Sequence, residues 1–299
     1  MARMSLQPRH GLLGALTAFS ALLVAAGLQA PSNNFSFSIV GDRTGGPTPG
    51  VYERVWREVS LLGPDFVINT GDTIDGQDDS RAAADWDAVR RVWERYGNLP
   101  RYFTPGNHDI WSEASQRLYE KVTGRPASYG FDFEQAHFTV LDNSRTLDLD
   151  DAQLRFLETD LKKNQQRDPK FVFFHKPFWI VYLKVGSGEF ALHRLAKQYG
   201  VDYVVSGHAH QFFRMERDGV VYLSVGSSGA SLERGLGKGE GFAQGWFHHH
   251  VWVRVRGPKV HMTVKELDAP YGKGRMFRVE DWGANGPVFD PNDPASGRP

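Results

Sequence analysis

The chain has 299 residues, with 35 basic and 35 acidic side chains, 40% apolar and 13% aromatic residues, and no cysteine. That length and apolar content suit one large α/β domain or two small ones. A formal net charge of zero gives no pull toward nucleic acid or an anionic membrane surface. Without cysteine, disulfides, thiolate ligands and a cysteine nucleophile are excluded, so any metal is held by oxygen and imidazole.

Arg3 and Arg9 precede a small, apolar run from Gly11 to Leu28, followed closely by Ala30. The pattern predicts a signal peptide over 1–30, with a small-x-small cleavage site at Ala25-Ala26-Gly27 and a poorer second one at Leu28-Gln29-Ala30. It implies export, to the periplasm or outside the cell. The alternative is an uncleaved N-terminal membrane anchor, because the run approaches the length of a short span.

Beyond the leader, strands and helices alternate. Phe35 to Val40 reads as a strand ending in Gly41-Asp42, and Val51, Val55, Val59 and Leu62 recur at helical spacing. Asp65 to Asn69 is a short strand running into Thr70-Gly71-Asp72, and Arg81 to Tyr96 an amphipathic helix. Arg101 to Thr104 is a strand before Gly106-Asn107-His108-Asp109. Tyr129 to Phe133 and His137 to Asp142 read as paired strands. Asp150 to Asn164 carries Leu154, Leu157 and Leu161 on one helical face. Phe171 to Phe174 is an apolar strand into His175, Phe190 to Tyr199 a helix, and Val201 to Val205 a strand into Gly207-His208-Ala209-His210. Strands then follow at Phe212 to Glu216, Val220 to Val225, Phe247 to Val255 and Val260 to Val264.

No repeat and no Pro/Ser linker interrupts this order, which predicts one α/β domain over 35–266 built as a layered sandwich. Residues 267–299 are rich in Gly, Pro and Asp and read as an irregular C-terminal extension.

Five loops after strands carry the chemistry: Gly41 to Thr44, Gly71 to Asp75, Gly106 to Asp109, His175 to Pro177 and Gly207 to His210. In open α/β sheets, ligand sites lie beyond the carboxyl ends of strands. Asp42 and Asp72 offer carboxylates, Asn107 a neutral carbonyl oxygen, and His175, His208 and His210 imidazoles. That is the donor set of a two-metal hydrolytic site. His108 has the right side chain to protonate a leaving alkoxide. The run His248-His249-His250 lies in a predicted strand, where alternate residues face opposite ways, so it reads as structural. His137 and His193 read as structural too. The stretch 235–241 lacks the spacing and the Lys-Ser/Thr ending of a P-loop.

These five segments, in this order, resemble the signature of the calcineurin-like metallophosphoesterases, a family that includes the purple acid phosphatases. The resemblance spans roughly Phe35 to Val264. It implies a four-layer α/β/β/α sandwich and two divalent metal ions, manganese, iron or zinc. It implies that Asp72 bridges them, that Asn107, His175 and His208 complete one site, and that Asp42 and His210 hold the other. It further implies hydrolysis of a small phosphorylated substrate by a metal-bound hydroxide, with His108 as general acid oriented by Asp109. No nucleic-acid partner is indicated, and a membrane is involved only if the leader stays attached.

Two departures stand out. The family places His where this chain has Thr44, at most a weak ligand, so the first site is expected to be weaker and tilted toward magnesium or calcium. Purple acid phosphatases place Tyr where this chain has Asp75, which predicts a colourless protein even when loaded with iron. Arg43 is a candidate contact to substrate phosphate, in competition with an ion pair to a nearby Asp. Two rival readings follow: a mononuclear or calcium-dependent hydrolase, and a non-catalytic binding protein on the same fold.

Overall fold

Alternation in β1 (Asn34–Val40) sends Phe35, Phe37 and Ile39 into one core and Val40 into another. The same division repeats across the protein. It is seen in a computed structural model that describes residues 34–186, 189–232, 242–267 and 274–282. In chain order the elements continue with α1 (Val51–Leu62), β2 (Phe66–Asn69), α2 (Ala82–Arg95), β3 (Arg101–Tyr102) and α3 (Glu113–Thr123). Then come β4 (Tyr129–Phe133), β5 (Ala136–Val140), α4 (Asp151–Lys163), β6 (Lys170–Phe173), α5 (Trp179–Lys184), α6 (Ala191–Tyr199) and β7 (Tyr203–Ser206). The last strands are β8 (Phe213–Arg217), β9 (Val220–Ser224), β10 (His249–Arg256), β11 (Lys259–Glu266) and β12 (Met276–Arg278).

Two six-stranded sheets result, ordered β12-β11-β10-β1-β2-β3 and β4-β5-β6-β7-β9-β8. One aromatic core fills the space between them, where Phe37 stacks on Phe66 and Phe138 on Phe171 with ring centroids 4.9 and 4.8 Å apart. Offset stacks of this kind add about 0.5–1.5 kcal/mol each beyond burial. A second core lies under α1, α2 and α3, and a third under α4, α5 and α6. The architecture is therefore the four-layer α/β/β/α sandwich.

Within each sheet the motif-bearing strands run parallel: β1 with β2 and β2 with β3, then β5 with β6 and β6 with β7. Their carboxyl ends therefore open on one side. The sheets are joined there by a bridge between Asp42 and Ser227, with the Asp42 N–H donating to Gly226 at 2.7 Å. A Cβ on Gly41 would lie 1.7 Å from the Gly226 carbonyl, so no other residue permits this crossing.

The sequence reading passed over two helices. In α3 only Ser115 and Tyr119 are buried, too few for an apolar stripe, and a capping box between Ser112 and Ser115 starts the helix. Six residues form α5, mostly apolar, so no periodicity shows. A correction concerns the irregular extension. Its described part adds β12 to the first sheet beside β11 and buries Val279 in the inter-sheet core. The leader (1–30), the glycine-rich stretch at 235–241 and the tail beyond 282 lie outside the described residues.

Away from the motif loops, His137 on β5 is nearly sealed from solvent between two carboxylates. Its Nδ1 lies 2.7 Å from Asp132 and its Nε2 2.8 Å from Asp160. Thr139 also donates to Asp160, and Arg167 pairs with Asp132, both at 2.7 Å. Carboxylates only accept, so both ring nitrogens carry protons and the ring is an imidazolium. Burial opposes that charge, yet the bonds to Asp160 and Asp132 outweigh it and raise the pKa. The structural reading of His137 follows from this contact set.

Candidate metal centre and active site

Asp42, Asp72, His175, His208 and His210 converge at the seam between the sheets. Ligand atoms of Asp72, His175 and His208 lie within 4.8 Å of one another, and so do those of Asp42, Asp72 and His210. Asp72 belongs to both groups. Its Oδ2 is 3.1 Å from His175 Nε2, which is 3.1 Å from His208 Nδ1. Asp42 Oδ2 is 3.5 Å from His210 Nε2 and accepts the His208 N–H at 2.6 Å.

The backbone is bent to allow this. Asp72, His208 and His210 take φ of 52°, 65° and 52°, left-handed values that side-chain-bearing residues rarely adopt. Such conformations gather at functional sites, where the surroundings hold them. Gly106 allows the third loop to lie against Asp72, since a Cβ there would be 2.2 Å from the Asp72 carboxylate.

The rings are aimed by their far nitrogens. His175 donates Nδ1–H to the Thr70 carbonyl at 2.8 Å, and His210 donates Nδ1–H to the Ser231 carbonyl at 2.8 Å. Each then turns Nε2 inward, the arrangement by which carbonyl partners orient metal-ligating histidines. The Asn107 side-chain oxygen is buried with no hydrogen-bond partner, an acceptor lacking its cation or donor.

The electrostatics point the same way. Burial pushes the Asp42 carboxyl well above its usual range; the charge of His175 opposes this and that of Asp72 adds to it. Burial also opposes ionisation of Asp72, but His175 holds it below the normal value. Burial disfavours charge on His175 too, yet Asp72 lifts it to about 9. His208 is pushed down to about 3 by burial and by the charge on His175, and His210 is lowered, chiefly by burial. Asp72 thus has a cationic partner and Asp42 has none of its own. The donor set fits divalent cations, which would neutralise Asp42 and take the inward nitrogens.

Comparison with known proteins agrees. Residues 39–212 match the calcineurin-like phosphoesterase family. The chain belongs to that family. It is 30% identical over 171 residues to purple acid phosphatase 23 of Arabidopsis thaliana, a match covering 48% of this chain and 37% of that protein. The chain thus spans little more than a third of that relative's length. Its fold is similar to purple acid phosphatase PPD1 from seeds of yellow lupin (Lupinus luteus), with TM-score 0.62, 15% identity, and coverage of 83% of this chain and 54% of that one. It is also similar to GAP50, the anchor in the inner membrane complex of Plasmodium, with TM-score 0.61, 17% identity, and coverage of 82% and 88%.

Against the calcineurin-like pattern, two expectations change, those for Asp109 and Thr44. Asp109 does not hold the His108 ring. It accepts N–H bonds from Thr73 at 2.8 Å, Ile74 at 3.2 Å and Gly106 at 3.0 Å, tying the second motif loop to the third. Burial, then the charge of Asp72, raises its pKa to about 7. The His108 ring instead donates Nδ1–H to the Asp75 carbonyl at 2.6 Å. Thr44 is buried and donates its hydroxyl to the Asp75 carboxylate. Arg43 sits 3.9 Å from Asp75, with its guanidinium 5.9 Å from the Tyr52 ring centre.

The three consecutive histidines diverge: His249 and His250 alternate on β10, and His248 lies just before it. His248 bonds Ser227, His249 packs against Phe212 and Phe247, and His250 faces Glu58. His193 bonds Tyr222 and forms a third group with Glu189 and Asp218, whose carboxylate pairs with Lys197 at 3.1 Å.

The sequence reading missed two supports. Thr70 bonds Asp42 through its hydroxyl and His175 through its carbonyl. Asn143 accepts the N–H groups of His175 and Lys176 at 3.1 and 3.0 Å. Its signal was Asp142-Asn143-Ser144, a polar turn directly after an apolar strand, as in the five motif loops.

Proposed function

We propose that the protein is an exported, metal-dependent phosphoesterase that hydrolyses small phosphate esters, with His108 as general acid. The observation that carries this reading is the pair of carboxylate–imidazole groups sharing Asp72, with the inward nitrogens of His175 and His210 fixed by backbone carbonyls. Asp72, Asn107, His175 and His208 would hold one divalent cation, and Asp42, Asp72 and His210 the other. When bound, such a pair supplies Lewis acidity and neutralises charge on the phosphoryl group.

The chain's own residues supply the rest. Asp109 holds the Asp72 and Asn107 loops at fixed separation through its three N–H bonds. His108 is tethered at Nδ1, so Nε2 is the atom that gives a proton to the departing oxygen. Arg43 stands at the mouth as a donor to the phosphate. Arg3, Arg9 and the apolar run after them support export.

The test is metal analysis joined to turnover of nitrophenyl monoester and diester substrates, before and after chelation. Two bound cations with chelator-sensitive turnover are expected. One cation with turnover supports a mononuclear hydrolase. Bound metal without turnover across manganese, zinc, iron, magnesium and calcium supports a binding protein and overturns the proposal.

A further inference from the structure

We infer that the outward face of β10, β11 and β12 seats the protein on an anionic lipid surface, with the metal centre turned away from it. This rests on the reading of residues 1–30 as an export leader.

Alternation decides what that face carries. Val251, Val253 and Val255 of β10, and Met262 and Val264 of β11, belong to the inter-sheet core. Residues between them point the other way. The outward cations are Arg254, Arg256, Lys259 and Lys265, joined by Arg278 on β12 next to the inward Phe277. No outward position of these three strands holds a carboxylate. The helices cover the other half of the sheet. Val40, Val67 and Phe103 pack under α1, α2 and α3, and no residue of β10, β11 or β12 joins that core. Only the rim is reached by α1, where Glu58 faces His250.

Charge on this face is unbalanced, although the chain as a whole is formally neutral. A surface that serves solubility alone mixes both signs. Here Arg256 stands directly opposite Lys259 across the β10–β11 ladder. Like charges in that position destabilise a sheet. Both side chains are exposed, and among the described residues neither has a carboxylate partner. Arg254 has none either. Its guanidinium lies 4.8 Å from the Trp252 ring centre, and its Nε is buried without a hydrogen-bond partner. The remaining two cations are engaged, Lys265 with the Gly274 carbonyl and Arg278 with Asp281, both at 2.9 Å. Asp65, beside the Arg254 row, accepts the Ser36 N–H at 2.8 Å.

Three unpaired cations thus share one end of the face, and the chain enters the domain at that same end. Asn34 pairs with Arg256. Only residues 29–33 separate it from the apolar run that closes at Leu28. A leader that enters a membrane brings this end of β1 to the bilayer first, which favours lipid over an acidic protein as the partner. The metal centre lies at the far end. Asp42 follows the last residue of β1, and β1 spans roughly 20 Å from Asn34 at ~3.3 Å per residue. The mouth stays open to substrate while the opposite end meets headgroup phosphates.

The test is partition of the full chain onto vesicles of phosphatidylcholine alone and of phosphatidylcholine mixed with phosphatidylglycerol. An inserted leader binds both, so the ratio of the two partition coefficients reports the face. Wild type should favour the anionic vesicles, and high salt should abolish the preference. Each cation near an anionic surface contributes about fivefold, so Arg256→Ser with Lys259→Ser should cut the ratio about 25-fold. The urea midpoint of this variant should be no lower than that of wild type, because a like-charge pair is gone. Arg90→Ser with Lys121→Ser removes the same charge from α2 and α3 and should leave the ratio unchanged. Should the first pair fail to fold, Lys259→Ser alone must cut the ratio about fivefold.

Equal partition of wild type onto both vesicles overturns the proposal. An equal fall in the two double variants overturns it as well, because net charge is then the cause. Capture on immobilised polyglutamate that depends on Arg256 and Lys259, without any vesicle preference, assigns the face to an acidic protein and also overturns it.

Discussion

Two clusters in this protein bury imidazole among carboxylates, and they are built to opposite ends. Around His137 both ring nitrogens and both carboxylates have found partners: two ring N–H donors, two carboxylates, and further donors from Thr139 and Arg167. Around Asp72 the accounts do not close. Asn107 keeps an unpaired buried oxygen, Asp42 lacks a cation of its own, and three residues sit in left-handed backbone. A satisfied network rigidifies a fold, whereas an unsatisfied one marks a place where something else must bind. The cluster at His137 belongs to stability and the one at Asp72 to function.

The sharpest way to break this contrast is Asp42→Asn. Turnover on nitrophenyl phosphate is expected to fall by at least about 10²-fold, more than outer partners of a metal site usually cost. In chelator, its urea midpoint should be no lower than that of wild type, because a carboxylate whose charge burial disfavours has been removed. A lower midpoint would show that Asp42 supports the fold. Asp160→Ala should do the reverse. Stranding the buried His137 costs about 3 kcal/mol, read as a drop in the urea midpoint, with nitrophenyl turnover near wild type below the transition.

A third effect is smaller and depends on pH. Because the folded pKa of His137 is raised, its stabilisation is complete below the unfolded value, near about 6.5. It drains away as pH rises through the folded value. The stability of wild type should therefore decline on the alkaline side, and His137→Gln should flatten that part of the curve. A parallel decline in both proteins would remove His137 as its source. The smallest effect is Ser112→Ala at the capping box of α3, expected to cost about 1 kcal/mol in denaturation. It should leave nitrophenyl turnover unchanged, because α3 lies outside both clusters.

Much of this was readable beforehand. The strands before the five loops, the helices α1, α2, α4 and α6, and the convergence of Asp42, Asp72, His175, His208 and His210 all follow from apolar runs that end in polar turns. What stayed hidden depends on partners distant in sequence. Asp109 follows His108 directly, so adjacency suggested that it orients the ring. In the folded chain its carboxylate turns instead to the N–H groups of Thr73 and Ile74. Thr44 looked like a ligand position left vacant, since sequence shows the missing imidazole and not the Asp75 carboxylate that claims the hydroxyl. The helix α3 escaped notice because Tyr119 is its one buried aromatic residue, and a single anchor makes no periodic stripe. The strand β12 escaped because three residues beside an edge strand need no pattern of their own once β11 supplies the hydrogen bonds.

The seam at Asp42 and Ser227 has one more consequence. Asp42 and Asp72 hang from the first sheet, while His175, His208 and His210 hang from the second. A slip of either sheet by one residue moves its loops by about 3.3 Å. Ligand distances tolerate only about 0.2 Å. Cation occupancy in this protein is therefore a gauge of sheet alignment. A chain that has collapsed with its layers misregistered would carry the same residues, show the same secondary structure, and bind nothing.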